Sequence, residues 1–434
     1  MSCRLTATDF ISSGLTVEQY AVSLLDRIKS RDETVQAWAY LDPEYVLAQA
    51  RELDKIPMNK RGPLHGVPIG VKDTMYTKDM PTQHNSPIYE NDAPIVDAGP
   101  VTILRNAGAL IFEHKGKTTT TEFAAVFTGP KTRNPHDSNR TPGGSSSGSG
   151  AAVGDFQVPI ALGTQTIGSV IRPGSYNGVF SFKATWDSIS REGVKISSLI
   201  LDTVGFFARS VDDLQLLADV FRLSDDEEPS AFELKGARFA VCKTHVWSQA
   251  GQGTINALDL AVKLLREHGA EVEELVLPKE FSQITQWQRN ILEGDGRVSF
   301  LPEYNLAKDK LDPLLVSFIE SIAKPSKRDY SASFDGVASL RPKIDEITGR
   351  YAAILTPSVL DEAPEGISTT GNPAFCGMWT ALHVPVVNIP GFSGSHGMPI
   401  GVSLIAPRYR DRHLLNVSQV VGKAFEAGGG KPAL

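Results

Sequence analysis

The chain has 434 residues, enough for one large α/β domain or a few ordinary ones. With 41% apolar and 21% charged residues it reads as a globular protein with a substantial core. A net charge of −7 without a concentrated basic face argues against a nucleic-acid surface.

The N-terminus, Met1-Ser-Cys-Arg-Leu-Thr, lacks the apolar segment of a secretory signal. No run approaches the roughly 18 apolar residues of a membrane span. The scattered cysteines Cys3, Cys242 and Cys376 suit reduced thiols and a cytoplasmic location. No Cys/His pair stands at ligand spacing, so no metal site is expected.

In chain order, Thr16 and Gln19 form a capping-box pattern ahead of Val17, Ala21, Leu24, Leu25 and Ile28 on one helical face. The stretch Pro43 to Lys55 continues in helical style. Val67 to Val71 is a short apolar run between turn residues, consistent with a buried strand ending at Lys72. Val101 to Ala107 reads as a helix and Ala109 to Phe112 as the next strand, an alternation that argues α/β. Thr132 to Gly150 is polar and rich in Asn, Pro, Ser and Gly. It resembles a linker, but its apolar flanks mark it as a functional loop.

Pro159 to Leu162 reads as a second buried strand, running into Gly163-Thr-Gln-Thr-Ile-Gly-Ser169. Val211 to Val220 is helical, and Ser224 to Pro229 an acidic surface turn. Ala237 to Cys242 is a strand. Thr254 to His268 is an amphipathic helix with Ile255, Leu258, Val262 and Leu265 inward, closed by Gly269. Phe281 to Arg350 is the least legible part, helical and partly exposed. Ala352 to Pro357 and Val384 to Ile389 restore short strands.

Three side chains carry the chemistry. A serine hydroxyl is a poor nucleophile at neutral pH and needs a positioned base. Lysine can be that base only when neutral, which requires burial or nearby positive charge. Lys72 at an apolar strand end meets the condition, although an ion pair with Asp73 or another acid is the plainer use of a buried lysine. Ser145 and Ser169 both sit beside glycine in tight loops. Gly144-Ser-Ser-Ser-Gly148 also satisfies the Gly-x-Ser-x-Gly elbow pattern, but the polar stretch before it cannot supply the required strand. Gly148 to Gly154 fails the spacing of a dinucleotide loop.

These residues resemble the amidase signature family, serine hydrolases of carboxamides, over most of the chain. Gly62-Pro-Leu-His-Gly-Val-Pro-Ile-Gly-Val-Lys-Asp73 is similar to the family's lysine segment, Thr118 to Phe123 to its Thr-rich turn, Thr141 to Ser149 to its Gly/Ser core and Gly163 to Pro173 to its nucleophile loop. Leu201 to Gly205, Gly371 to Phe375 and Gly397 to Gly401 resemble later segments.

The resemblance implies one domain over residues 1–434, with a mixed, twisted central sheet covered by helices on both faces. It places a catalytic core at about 62–215 and a variable pocket region at about 281–350. It makes Ser169 the nucleophile, Ser145 the bridging serine with a cis peptide, and Lys72 the terminal base. The interval from Ser145 to Ser169 fits the family spacing, and Ser146 or Ser147 would not. The N–H groups of Thr166, Ile167, Gly168 and Ser169 would form the oxyanion hole. Ile167 stands where most relatives have a small residue, so this loop must avoid positive φ. Gln165 replaces a frequent Asp.

Arg172 is expected either to bind a carboxylate-bearing substrate or to pair with Asp202, itself a loop anchor. Met75, Phe375 and Trp379 are expected near the substrate. The implied reaction is C–N hydrolysis of a small carboxamide, carbamate or ester through an acyl-enzyme, without a cofactor. The partner is a small-molecule amide or carbamate, with no nucleic acid or membrane, and a homodimer is compatible with this reading. The alternatives are the glutaminase-type A subunit of a tRNA-dependent amidotransferase and a catalytically silent scaffold of the same fold.

Overall fold

A computed structural model describes residues 2–90, 92–112, 117–118, 131–227, 229–321 and 325–428. Apart from Thr118, the Thr-rich turn to Phe123 lies outside the described residues, as does Glu228 of the acidic turn.

Twelve strands among these residues form one mixed sheet. They are β1 (Trp38–Tyr40), β2 (Pro68–Lys72), β3 (Leu110–Ile111), β4 (Lys117–Thr118), β5 (Ile160–Gln165), β6 (Phe180–Lys183), β7 (Thr203–Ala208), β8 (Arg238–Val241), β9 (Glu271–Glu274), β10 (Ala353–Pro357), β11 (Val386–Ser393) and β12 (Pro399–Ile405). The order is β1-β4-β2-β5-β7-β6-β11-β12-β10-β8-β9, with β3 also on β2. β2 runs parallel to β3, β4 and β5, and β8 parallel to β9 and β10. The stretch from β5 through β7, β6, β11 and β12 to β10 is antiparallel.

Side chains alternate across a strand, and here the alternation separates two apolar cores. Ala353, Leu355, Val387, Ile389, Val402 and Leu404 join the larger cluster, while Ile354, Val386 and Ile405 face the smaller one. The larger face is covered by helices Val17–Val35, Gln252–Glu267 and Asp411–Ala427, the smaller by Ile284–Ser299, Lys327–Thr348 and Ala374–Ala381. Both faces are therefore covered, and β2, β5, β7 and β12 are buried at every position.

Most expected elements form. The Thr16/Gln19 capping box is complete, and Val17, Ala21, Leu24, Leu25 and Ile28, the residues expected on one face of its helix, are buried. The helix expected over Thr254 to His268 runs Gln252–Glu267, but its inward face is rotated. Ala257, Leu258, Ala261, Leu264 and Leu265 are buried, whereas Ile255 and Val262 are only half-buried. The small residues Ala257 and Ala261 lie on the buried face. The region Phe281 to Arg350 is resolved into helices Ile284–Ser299, Leu301–Ala307, Pro313–Glu320 and Lys327–Thr348. Strands β6, β7 and β12 and the last helix carry no expectation in the sequence reading.

The polar segment before Gly150 is the reverse of a linker. Helix Ser147–Gly154 is buried at every position. It lies so close to β5 that a Cβ at Gly163 would stand 2.7 Å from both Ser146 Oγ and a ring carbon of Phe207. Small residues here permit contact between backbones.

His383 follows helix Ala374–Ala381, stacks on Trp186 and hydrogen-bonds the Ile200 carbonyl at 2.7 Å. Burial, reinforced by the Arg341 guanidinium, pushes its imidazole down to about 2, against an ordinary value of 6.5. The unfolded chain takes up a proton that the folded protein refuses, so this contribution is complete above pH 6.5 and is lost as pH falls toward 2. The urea midpoint should therefore drop between about pH 7 and about pH 5. The drop should be shallower in His383→Asn, since asparagine tolerates the φ of 66° and does not titrate.

Candidate active site

β2 and β5 are adjacent and parallel, with Ile69 opposite Ile160 and Gly70 opposite Ala161. Their carboxyl ends lie side by side, the place where open α/β sheets bind ligands. β2 delivers Lys72 there, and β5 delivers the loop Thr166 to Ser169.

Lys72 is completely buried. Its Nζ lies 2.7 Å from Ser145 Oγ and 2.6 Å from Thr164 Oγ1, hydrogen-bonding both. Asp73 turns away and accepts the N–H of Gln83. Thr164 went unnoticed in the sequence because a threonine alternating along a strand carries no signal.

The three consecutive serines separate by their partners. Ser146 Oγ bonds the N–H and carbonyl of Thr164, Ser147 Oγ reaches the Ser145 carbonyl, and nearby Ser149 Oγ donates to Leu162 at 2.7 Å. The Ser146 and Ser149 hydroxyls fasten the helix to β5. Only Ser145 reaches Lys72, and the Gly144–Ser145 peptide is cis.

The loop Thr166 to Ser169 is held by a neutral tether. Gln165 Oε1 accepts the N–H groups of Val170 and Ile171 at 2.9 and 3.0 Å. Its Nε2 donates to Thr380 Oγ1, whose hydroxyl donates to the Ile167 carbonyl at 2.7 Å. The carboxamide thus does with one group what a carboxylate could not, accepting from one side and donating to the other. Among the described residues, the N–H groups of Ile167, Gly168 and Ser169 have no hydrogen-bond acceptor. Ile167 keeps out of the left-handed region, so its bulk sits on an unstrained backbone. Cys376 packs beside this loop. Burial pushes its thiol up to about 12, and it donates to the Ser358 carbonyl.

Ser145, Thr166, Ile167, Ser169 and Arg172 line one cavity of about 200 Å³. Its remaining wall comes from Ser197, Thr370, Pro373 and the segment 292–318. That segment is tied to the body through buried Glu303, which accepts from Lys195 and Tyr89, and through Asp295, which accepts from Ser198 at 2.5 Å.

Arg172 is 4% exposed and makes no pair with Asp202. Its Nη2 donates to the Gly144 carbonyl at 2.5 Å and to Thr370 Oγ1 at 2.9 Å, while Nε and Nη1 are buried without partners. Burial holds its guanidinium below the usual range. Asp202 accepts the N–H groups of Ser197 and Ser198, as a loop anchor does.

Met75, Phe375 and Trp379 correct the sequence reading. All three are buried, at 1% exposure or less, and none is on the cavity wall. Met75 joins the larger core and bridges Val194, Trp379 joins the second core, and Phe375 packs edge-on against Trp247. Apolar residues next to a motif are core more often than pocket.

The comparisons with known proteins agree with this geometry. The Amidase family profile matches residues 20–415. The chain belongs to the amidase family. It is an enzyme that hydrolyses C–N bonds. It is 30% identical to the A subunit of the glutamyl-tRNA(Gln) amidotransferase from Ligilactobacillus salivarius (strain UCC118), over 96% of this chain and 94% of that protein. A crystal structure of an amidase superimposes with a TM-score of 0.85 at 25% identity, covering 98% of this chain and 99% of that one. The peptide amidase of Stenotrophomonas maltophilia gives 0.80 at 22% identity over 99% and 98%, a likeness of fold. No helix among the described residues is long and apolar enough to cross a membrane, and none of their His, Cys, Asp and Glu side chains group in threes as a metal site.

Gly168 gives a direct test of how closely the amidase loop must pack. A Cβ there would stand 2.9 Å from Pro373 Cβ and 3.0 Å from Cys376 Cβ. Gly168→Ala should lower kcat at least about tenfold by displacing the neighbouring donors, while near-UV circular dichroism reports a folded protein.

Proposed function

We propose that this amidase cleaves the C–N bond of a small carboxamide through an acyl-enzyme on Ser169. The observation that carries the reading is a fully buried Lys72 amine 2.7 Å from Ser145 Oγ, with Ser145 and Ser169 on one cavity wall. Burial disfavours an ammonium and so favours the free amine a base requires.

In this reading Lys72 takes the proton of Ser145 as Ser145 takes that of Ser169. The freed Ser169 oxygen attacks the amide carbon. The negative charge moves to the carbonyl oxygen, where the N–H groups of Thr166, Ile167, Gly168 and Ser169 receive it. Each such donor is typically worth about 2.7–4 kcal/mol. The relay returns the proton to the leaving nitrogen, the C–N bond breaks, and ammonia or an amine departs. Water then attacks the ester with the same relay as base, which releases the acid and restores Ser169.

Carbamates and esters present the same carbonyl and fall within this chemistry. Arg172, with Nε and Nη1 unpartnered beside the nucleophile, is suited to hold an acceptor or carboxylate on the acyl group. It also positions Ser145 through the Gly144 carbonyl.

A fluorophosphonate should label the purified chain, and Ser169→Ala should abolish labelling. Lys72→Ala should slow ammonia release by about 10²–10⁴-fold, and Ser145→Ala should slow labelling where Ser147→Ala does not. Undiminished turnover in Lys72→Ala would remove the relay. For Arg172→Met, kcat against every amide should fall because Ser145 loses its anchor. Carboxylate-bearing amides should lose a further about tenfold in kcat/KM relative to neutral ones.

A further inference from the structure

Asp312 caps the helix Pro313–Glu320, its Oδ1 accepting the Leu314 N–H at 2.8 Å. Its second oxygen has no such use. Oδ2 is buried and has no hydrogen-bond partner, in a residue only 7% exposed. Buried polar atoms are nearly always hydrogen-bonded, and an unpaired carboxylate oxygen is among the costlier exceptions.

The residue lines the same cavity as Ser145 and Ser169. Around it the wall is apolar, from Leu292, Phe300, Leu314, Leu315 and Phe318. No ion pair forms between Asp312 and Arg172, the other charged residue of that wall, whose Nη2 is taken by Gly144 and Thr370. A capping role explains Oδ1 alone. What remains is one carboxylate oxygen without a partner, on the part of the cavity wall built from the segment 292–318.

We propose that Asp312 is a specificity-determining residue: its Oδ2 accepts a hydrogen bond from an amino or ammonium group on the acyl part of the substrate, away from the scissile carbonyl. The substrate class is thereby a small carboxamide that bears an amine. The inference rests on the amide-hydrolase reading above. The leaving group, the proton relay and the acyl-enzyme are unchanged by it.

The test uses the full chain and two series of short straight-chain primary amides that differ only in ending in a methyl or an amino group, assayed by ammonia release. At its best chain length the wild type should favour the amino series by about 10- to 100-fold in kcat/KM, the range of a hydrogen bond to a charged group. Asp312→Asn keeps the capping oxygen and should erase that preference while leaving the methyl series and fluorophosphonate labelling of Ser169 unchanged. Asp312→Ser, which also caps, should behave alike. A merely structural role would lower both series together.

Equal or better turnover of the methyl series by the wild type, or a preference retained in both variants, overturns the assignment of Asp312 and leaves the hydrolase reading standing. Ammonia from neither series, together with absent labelling, overturns both.

Discussion

A lysine amine with no contact to water can persist at a sheet end only if polar groups reach it, and the rest of the site is arranged to bring them. Lys72 is the last residue of β2, and its amine meets Ser145 from one direction and Thr164 from another. Thr164 is fixed by the register of β5 against β2 and β7. Ser145 has no strand to fix it. It depends on Ser146 binding Thr164 and on Arg172 holding the carbonyl of Gly144. Parallel strands, a Gly/Ser helix and a buried guanidinium all converge on one amine.

This arrangement explains a composition that would otherwise suggest slack. Gly148, Gly150, Ala151, Ala152 and Gly154 belong to a helix that is buried on all sides. Larger side chains would push the helix outward and pull Ser145 off Lys72. Asn177 completes the clamp, donating to the Pro142 and Pro173 carbonyls at 2.7 Å each. The amidase loops are densely packed.

Much of this was legible in the residues. Capping at Thr16, the apolar run into Lys72 and the strand before Gly163 announce themselves by local rules, and the family followed from a resemblance carried by ordered motifs. What escaped depended on distance in the chain. Thr380 reaches Ile167 across 213 positions, and Thr370 meets Arg172 across 198, contacts no periodicity can encode. The cavity wall escaped for another reason. Phe300, Leu311 and Leu315 form a small cluster apart from the main core, and of the three only Leu315 lies within a helix, so no helical periodicity marks the cluster. Met75, Phe375 and Trp379 were misplaced because proximity to a motif says nothing about which way a side chain points.

Helix Ile284–Ser299 serves two masters. Ile284 and Ile291 belong to the core beneath the sheet, while Leu292 and Gly296 face the cavity. Reshaping this enzyme's taste for new compounds by altering that helix therefore disturbs the foundation on which the sheet rests. Variation in what it accepts should accumulate first on the Pro313–Glu320 side, where Leu314 and Phe318 shape the chamber without underpinning the barrier to collapse.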